Sequence, residues 1–413
     1  MEKIAVIGAG ISGLTIANIL QEKGYRIVVY EKEKTPGGLI RCKRVNGSLF
    51  HICGGHVFNS KRQDVLDWFW NKLDKNDWSK ADRNAVILTD DGKEIAYPIE
   101  NNFYLLDKET QRLIIRDLMA ICKTDNPEIS NFEDFLKSRF GNTLYDLYFK
   151  PYNEKVWRRD LYKVPISWLE GKLPMPTVGD IIFNNINHIK EKQFVHSSFW
   201  YEKHDGSQFI ANKLSEKLDI RFNSVIEQID RQSDGWNILG EHFDSVVFCG
   251  NIKDLPQILN KIDLSSYEQK IKDLEYHGTT SVFCEIDANP YSWIYLPSKL
   301  YESHRIICTG NFSPSNNARG GVMTGTVEFT DYIPLDSIMD NLTKIPLHPK
   351  YLAHHYNEFT YPIQNADTRD MIASLKQELS VSHFYFTGRF ADWEYYNMDV
   401  AIGAAIDLSK QWK

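Results

Sequence analysis

The sequence predicts an α/β protein: a Rossmann-type dinucleotide-binding domain with an inserted helical domain and an antiparallel β-sheet domain. Three observations carry that expectation. The chain opens on an apolar run, a glycine fingerprint and an amphipathic helix in immediate succession. Residues 103–195 hold mostly helical spacing, and residues 276–330 contain several β-rich runs. At 413 residues the chain is long enough for two or three packed units.

Residues 4–7 read as a strand buried on both faces. Gly8, Gly10 and Gly13 follow as G-x-G-x-x-G, with helical periodicity over 14–20. In this motif the first glycine allows the tight turn, the second lets a pyrophosphate approach the backbone, and the third lets helix and sheet pack closely. Unpaired N–H groups at the helix N-terminus, beside Ser12, suit the pyrophosphate. Gly24 can end the helix, and residues 27–30 form a second buried strand. Glu31 follows about 20 residues beyond the glycines, where an acid accepts hydrogen bonds from ribose hydroxyls. Beyond Glu31 and Lys32, the pair Gly37–Gly38 leads into Leu39 and Ile40. That second glycine turn resembles the pattern of FAD-dependent oxidoreductases, including amine oxidases, and the resemblance favours FAD over NAD.

Further along, residues 61–80 have helical spacing anchored by Trp68, Phe69 and Trp70. "NAVILTDDGKEIAYPI" reads as a hairpin turning at Asp91–Gly92. The helical stretch from 103 is interrupted near Pro127, Gly141 and residues 174–179; strands return over 220–250. A last helix is expected to start at Asp399, an acid that suits the helix dipole. These signals assign 1–64, 204–252 and 376–413 to the FAD-binding unit. Residues 65–85 and 101–203 go to the helical unit, and 86–100 and 253–375 to the β-sheet unit.

The net charge of −7 argues against a nucleic-acid binder, while leaving room for local Arg and Lys clusters around a phosphate. The six cysteines form no C-x-x-C pair, as expected of reduced thiols. No signal-peptide pattern opens the chain and no run of about 18 apolar residues occurs, so a cytoplasmic protein without membrane insertion is expected. "HICGGHVFN" crowds His51, Cys53 and His56 together, yet the spacing fits no common zinc pattern, and no metal is expected. Gly54 and Gly55 suggest instead that backbone lies against a flat ring.

Six separated motifs resemble the UDP-galactopyranose mutases, most closely the eukaryotic-type branch. They are "GGHVF" (54–58), "YPIENN" (97–102), "YNEKVW" (152–157) with "WLEGKL" (168–173), "WIYLP" through Arg305, "NFSP" (311–314) and "GRFADWEYYNMD" (388–399). The resemblance implies an isomerase. It would interconvert UDP-galactopyranose and UDP-galactofuranose through attack of reduced FAD N5 on the anomeric carbon, supplying galactofuranose for cell-surface polysaccharide. It also implies an external reductant, and it is compatible with a homo-oligomer.

By the same resemblance, His56, Arg305, Arg389, Tyr395 and Asn397 serve catalysis. Gly55, Val225, Gly388, Met398 and Asp399 join the glycine turns, Glu31, His56, Arg389 and Asn397 around the cofactor. Tyr97, Tyr152, Asn153, Trp157, Lys172, Tyr295, Arg305, Tyr361, Arg389 and Tyr395 surround the UDP-sugar. Arginine forks match pyrophosphate oxygens, and tyrosine hydroxyls donate to them without adding charge. The chain departs from the family at Lys172, a point charge where an arginine fork is usual. It also departs at Ala391, at Glu394, and at Asp205 in the phosphate-glycine run "HDGSQ". These departures leave three alternatives: another nucleotide sugar, an FAD-dependent oxidoreductase of the amine-oxidase or protoporphyrinogen-oxidase type, or a flavin-binding scaffold.

Overall fold

The computed structural model describes residues 1–123, 129–166, 176–189, 197–318 and 320–413. The N-terminal runs "KIAVI" and "RIVVY" form Lys3–Ile7 and Arg26–Tyr30, central in a five-stranded, all-parallel sheet. The order is Phe384–Phe386, Ser245–Phe248, Lys3–Ile7, Arg26–Tyr30, Ile220–Arg221. Both faces are covered, which is why these strands are apolar without alternation. On one face Ile4 and Val6 pack with Leu14, Phe69, Leu214 and Ile402 from four helices. On the other, Ala5 and Val28 pack with Trp236 and Phe243 of a small four-stranded sheet and with Leu375 of the helix Thr368–Ser380.

The second layer system is a seven-stranded sheet. Its order is Lys350–Ile363, Glu275–Glu285, Thr324–Thr330, Arg305–Ile307, Trp293–Tyr295, Ala85–Leu88, Glu94–Ala96. The expected hairpin supplies the last two strands, with Gly92 at φ 77° in its turn. Every pair is antiparallel except Trp293–Tyr295 with Ala85–Leu88, which is parallel because the hairpin arrives from a distant part of the chain. One face is apolar: Val86, Ile294, Ile306, Val327 and Val282 pack beneath the helix Leu335–Leu342. The opposite face meets the helices Phe132–Leu144, Lys150–Trp157 and Val178–Asn187 through Ile87, Tyr295 and Ile307.

Two segments differ from the sequence reading. The helix expected over 61–80 ends at Lys72, and Trp78–Asp82 is a strand paired with Ser198–Glu202. The side chain of Asp74 caps the intervening turn by accepting from the Asn76 N–H, and buried Trp78 packs edge-on to Phe69. The helix itself, Gln63–Lys72, buries Val65 and Phe69 in the core of the parallel sheet, not among the helices of the insertion. At the C-terminus, Met398–Leu408 begins one residue before the expected Asp399. No helix among the described residues is long and apolar enough to cross a membrane.

Candidate active site

The site begins at the two glycine turns. A Cβ on Gly13 would lie 1.9 Å from the Gly8 carbonyl oxygen, so helix and loop can approach only with glycine there. Gly10 differs: its φ is an ordinary −74°, and a Cβ would meet nothing within 4 Å. Neither backbone nor packing demands a glycine there, and the bare position leaves open room of the kind a phosphate needs to approach. The second turn closes on the first. Gly37 N–H donates to Ala9 O at 2.8 Å, and a Cβ on Gly38 would come 3.3 Å from Gly10 Cα. Ser12 abuts Gly388, whose added Cβ would stand 3.2 Å from Ser12 Oγ.

Glu31 is buried, and its two oxygens accept the N–H groups of Ala9 (2.7 Å) and Glu33 (2.9 Å). A carboxylate keeps lone pairs beyond these two for a ribose. The Ser224 N–H donates to Glu31 O, which brings the loop of exposed Val225 beside Glu31 and exposed Lys32. Asn397 precedes the helix Met398–Leu408 and makes no capping bond to it; Met398 is buried. Asp399 is buried with Oδ1 unpartnered among the described residues, and burial makes its carboxyl a weaker acid than usual, against the Ser60 hydrogen bond. An orphaned buried oxygen at a helix start, beside an open glycine loop, fits a dinucleotide such as FAD.

The Leu39 carbonyl links this half to the other by accepting from His56 Nε2 at 3.0 Å. A carbonyl can only accept, so Nε2 carries the proton. Burial and Arg389 push the His56 imidazole down to about 4 despite the carbonyls of Leu39 and Cys53, so it is neutral. His51 is fully buried between Tyr201 OH (2.8 Å) and Ser207 Oγ (3.2 Å), and burial holds it well below the usual histidine range. Cys53 faces Thr360, its thiol pushed up to about 11 by burial. Among the described residues, no group of three metal-ligating side chains is placed to hold an ion. Gly55 is also needed for packing: its added Cβ would strike Ile307 at 2.7 Å and approach Trp293 at 3.3 Å on the sheet side.

The polar face of the seven-stranded sheet completes the site. Tyr295 stands directly opposite Arg305, and Arg305 directly opposite Glu328, so all three share a face. Arg305 Nε donates to Glu328, and Nη2 donates to Tyr361 OH at 3.2 Å. Burial works against the Arg305 charge, but Glu328, with Tyr361 and Tyr152 adding, outweighs it and keeps the guanidinium protonated. Tyr361 stacks on Tyr395 (5.4 Å, 9°), and the Arg389 guanidinium lies 4.7 Å from the Tyr395 ring centre. Tyr97 and Tyr152 both contact Tyr295, at 4.6 and 5.5 Å between ring centres. Burial, with Tyr295 adding, lifts the Tyr152 hydroxyl well above the usual tyrosine range, so it remains a donor.

Several expected residues have other engagements. The Arg389 fork already donates to backbone, from Nε to Tyr396 O (3.0 Å) and from Nη1 to Thr360 O (3.1 Å); only its remaining N–H groups could reach a ligand. Asn153 Nδ2 is committed to Phe149 O in its own helix. Trp157 is core, edge-on to Phe132, because the buried stripe of its helix faces Phe132–Leu144. Lys172 lies outside the described residues. The "HDGSQ" turn is filled by the chain's own anion: the Glu202 carboxylate accepts the N–H groups of His204 (3.0 Å) and Asp205. Sequence reasoning missed Glu328 and Arg83, which donates to Tyr295 OH and lies over the rings of Trp293 (4.9 Å) and Tyr97 (5.4 Å). The alternation in "TGTVEFT" was a usable signal for Glu328, since it puts Thr324, Thr326, Glu328 and Thr330 on one face.

A family model described as an NAD(P)-binding Rossmann-like domain matches residues 6–73. The chain is 24% identical over 424 residues to a dTDP-fucopyranose mutase of Escherichia coli, covering 99% of this chain and 98% of the relative. It is 22% identical over 443 residues to the UDP-galactopyranose mutase of Mycoplasma genitalium, covering 99% and 94%. The crystal structure of a reduced UDP-galactopyranose mutase matches with a TM-score of 0.88 at 22% identity, over 100% of this chain and 93% of that one. The chain has the UDP-galactopyranose mutase fold. In this mutase fold the glycine turns and the polar sheet face come together at the Leu39–His56 hydrogen bond.

Proposed function

We propose that the protein is a flavin-dependent isomerase interconverting UDP-galactopyranose and UDP-galactofuranose. The observation that carries this reading is the row Tyr295–Arg305–Glu328, facing the same centre as Tyr361, Tyr395 and Arg389 and tied to the glycine turns through His56. Bound FAD, in its reduced form, supplies a nucleophilic N5 for the anomeric carbon. The chain's residues serve the rest of the reaction. The glycine turns and the N-termini of the helices Ile11–Glu22 and Met398–Leu408 receive the cofactor. Arg305, with Nε already committed, offers its outer Nη edge to the diphosphate leaving group. The hydroxyls of Tyr97, Tyr152, Tyr361 and Tyr395 donate without adding charge. Neutral His56 keeps a third cation away from Arg305 and Arg389, while the surrounding rings exclude water.

A second reading, a mutase acting on a dTDP-sugar, is supported by the equally full-length similarity to the dTDP-fucopyranose mutase. One experiment tests both. Dithionite-reduced protein is given UDP-galactopyranose or dTDP-fucopyranose, and products are separated by chromatography. Conversion of the UDP-sugar by reduced but not oxidised protein is expected. Conversion of the dTDP-sugar alone selects the second reading; conversion by oxidised protein, or none by reduced protein, sinks both.

A further inference from the structure

We propose that Glu328 is a positioning residue that locks Arg305 and the Gly54–His56 turn into one unit, so that the diphosphate-binding guanidinium and the cofactor-facing histidine are held in register. This rests on the reading of the site as one for a nucleoside-diphosphate sugar. Glu328 is fully buried and lies opposite Arg305 across paired strands. One oxygen accepts from Arg305 Nε, and the other accepts the Gly54 N–H at 2.9 Å. Two residues after Gly54, His56 bonds Leu39 of the second glycine turn. A single carboxylate therefore joins a strand of the sheet to the loop that meets the dinucleotide half. Neighbouring His304, 3.8 Å from the same oxygen, is buried and held well below the usual histidine range by burial and by Arg305. Arg305 is thus the counter-charge, and with its Nε edge fixed only the Nη edge is left to turn toward a ligand.

Two donors converge on this side chain, and both need an acceptor. Glutamine has the same shape but offers one oxygen and one NH2 group, so either Arg305 Nε or Gly54 N–H must face another donor. Ionised carboxylate is the side chain of that length that satisfies both.

The test uses the flavin-loaded full chain, with UDP as the probe in a fluorescence titration. Glu328→Gln is expected to keep its flavin and bind UDP at least tenfold more weakly. The Arg305→Lys/Glu328→Gln double variant is expected to bind no more weakly than Arg305→Lys alone, because Glu328 acts through Arg305. Wild-type affinity in Glu328→Gln, or losses that multiply in the double variant, would overturn the proposal. If the glutamine variant does not fold, Glu328→Asp keeps the charge, loses the reach and enters the same cycle. A crystal structure of the variant with Arg305 and residues 53–56 unmoved overturns the proposal independently of any ligand. Failure of the wild type to bind UDP removes the UDP-sugar reading instead and leaves the crystallographic test standing.

Discussion

The two halves of the site are built on different physics. The heart of the dinucleotide half is contiguous: strand, glycines, helix, strand and acid follow one another within residues 3–31, and only the second glycine turn, the Ser224 loop and the helix Met398–Leu408 join from farther along the chain. The sheet half is assembled from strands at 85–88, 293–295, 305–307, 324–330 and 350–363, and its chemistry exists only once they pair in register. The first half is intolerant of atoms added to its backbone. The second is intolerant of changes in charge and in hydrogen-bonding partners.

The largest expected effect breaks the first half. In Gly13→Ala the new Cβ would stand 1.9 Å from a backbone oxygen that cannot yield locally, so the purified protein should lose its flavin absorbance altogether. Retained flavin would show that the loop tolerates a rearrangement incompatible with the packing argument. Arg305→Ala should do the reverse, sparing the flavin spectrum while turnover drops at least about 100-fold, the equivalent of two charge-assisted hydrogen bonds at roughly 1.5 kcal/mol each. Loss of flavin in that variant would blur the division between the halves.

Acid should act on the sheet half. His51, His56 and His304 are all held below the ordinary histidine value of 6.5, His56 at about 4. The unfolded chain therefore binds more protons than the native one below pH 6.5, and stability should fall as pH drops from there toward 4. Thermal melts should be level near neutrality and decline below pH 6.5. Hydrogen exchange at pH 5 should quicken in Arg305–Ile307 and Thr324–Thr330 before Lys3–Ile7. Melts that rise on acidification, or uniform exchange, would contradict this. The smallest effect is expected of Trp157→Phe. It should lower stability by about 1–3 kcal/mol, as a core substitution does, and leave UDP affinity unchanged. A selective loss of UDP binding would return Trp157 to the nucleotide pocket.

The contrast also explains what was legible beforehand. The first two strands of the parallel sheet, the glycine turns between and beyond them, the 85–96 hairpin and the C-terminal helix were all readable, because each depends on neighbours in sequence. Tyr295 and Arg305 could be paired by resemblance, and the structure supplies the reason, a directly opposed antiparallel pair. Residues 78–80 of the strand Trp78–Asp82 were read as helix because the partner strand lies at 198–202, more than a hundred residues away. The packing of Gly55 on Ile307 was not legible, since Ile307 reaches it only through the tertiary fold. The packing of Trp157 against Phe132 was not legible, because a motif does not reveal which face of a helix is buried.

By itself the sequence determined the dinucleotide-binding turn, since steric exclusion at Gly8 and Gly13 and the open approach at Gly10 are local properties of the backbone. Only the tertiary structure decided which charges meet. Glu328, a single acid in an otherwise unremarked strand, becomes the partner of Arg305 and Gly54 because strand register, a long-range property, sets it between them.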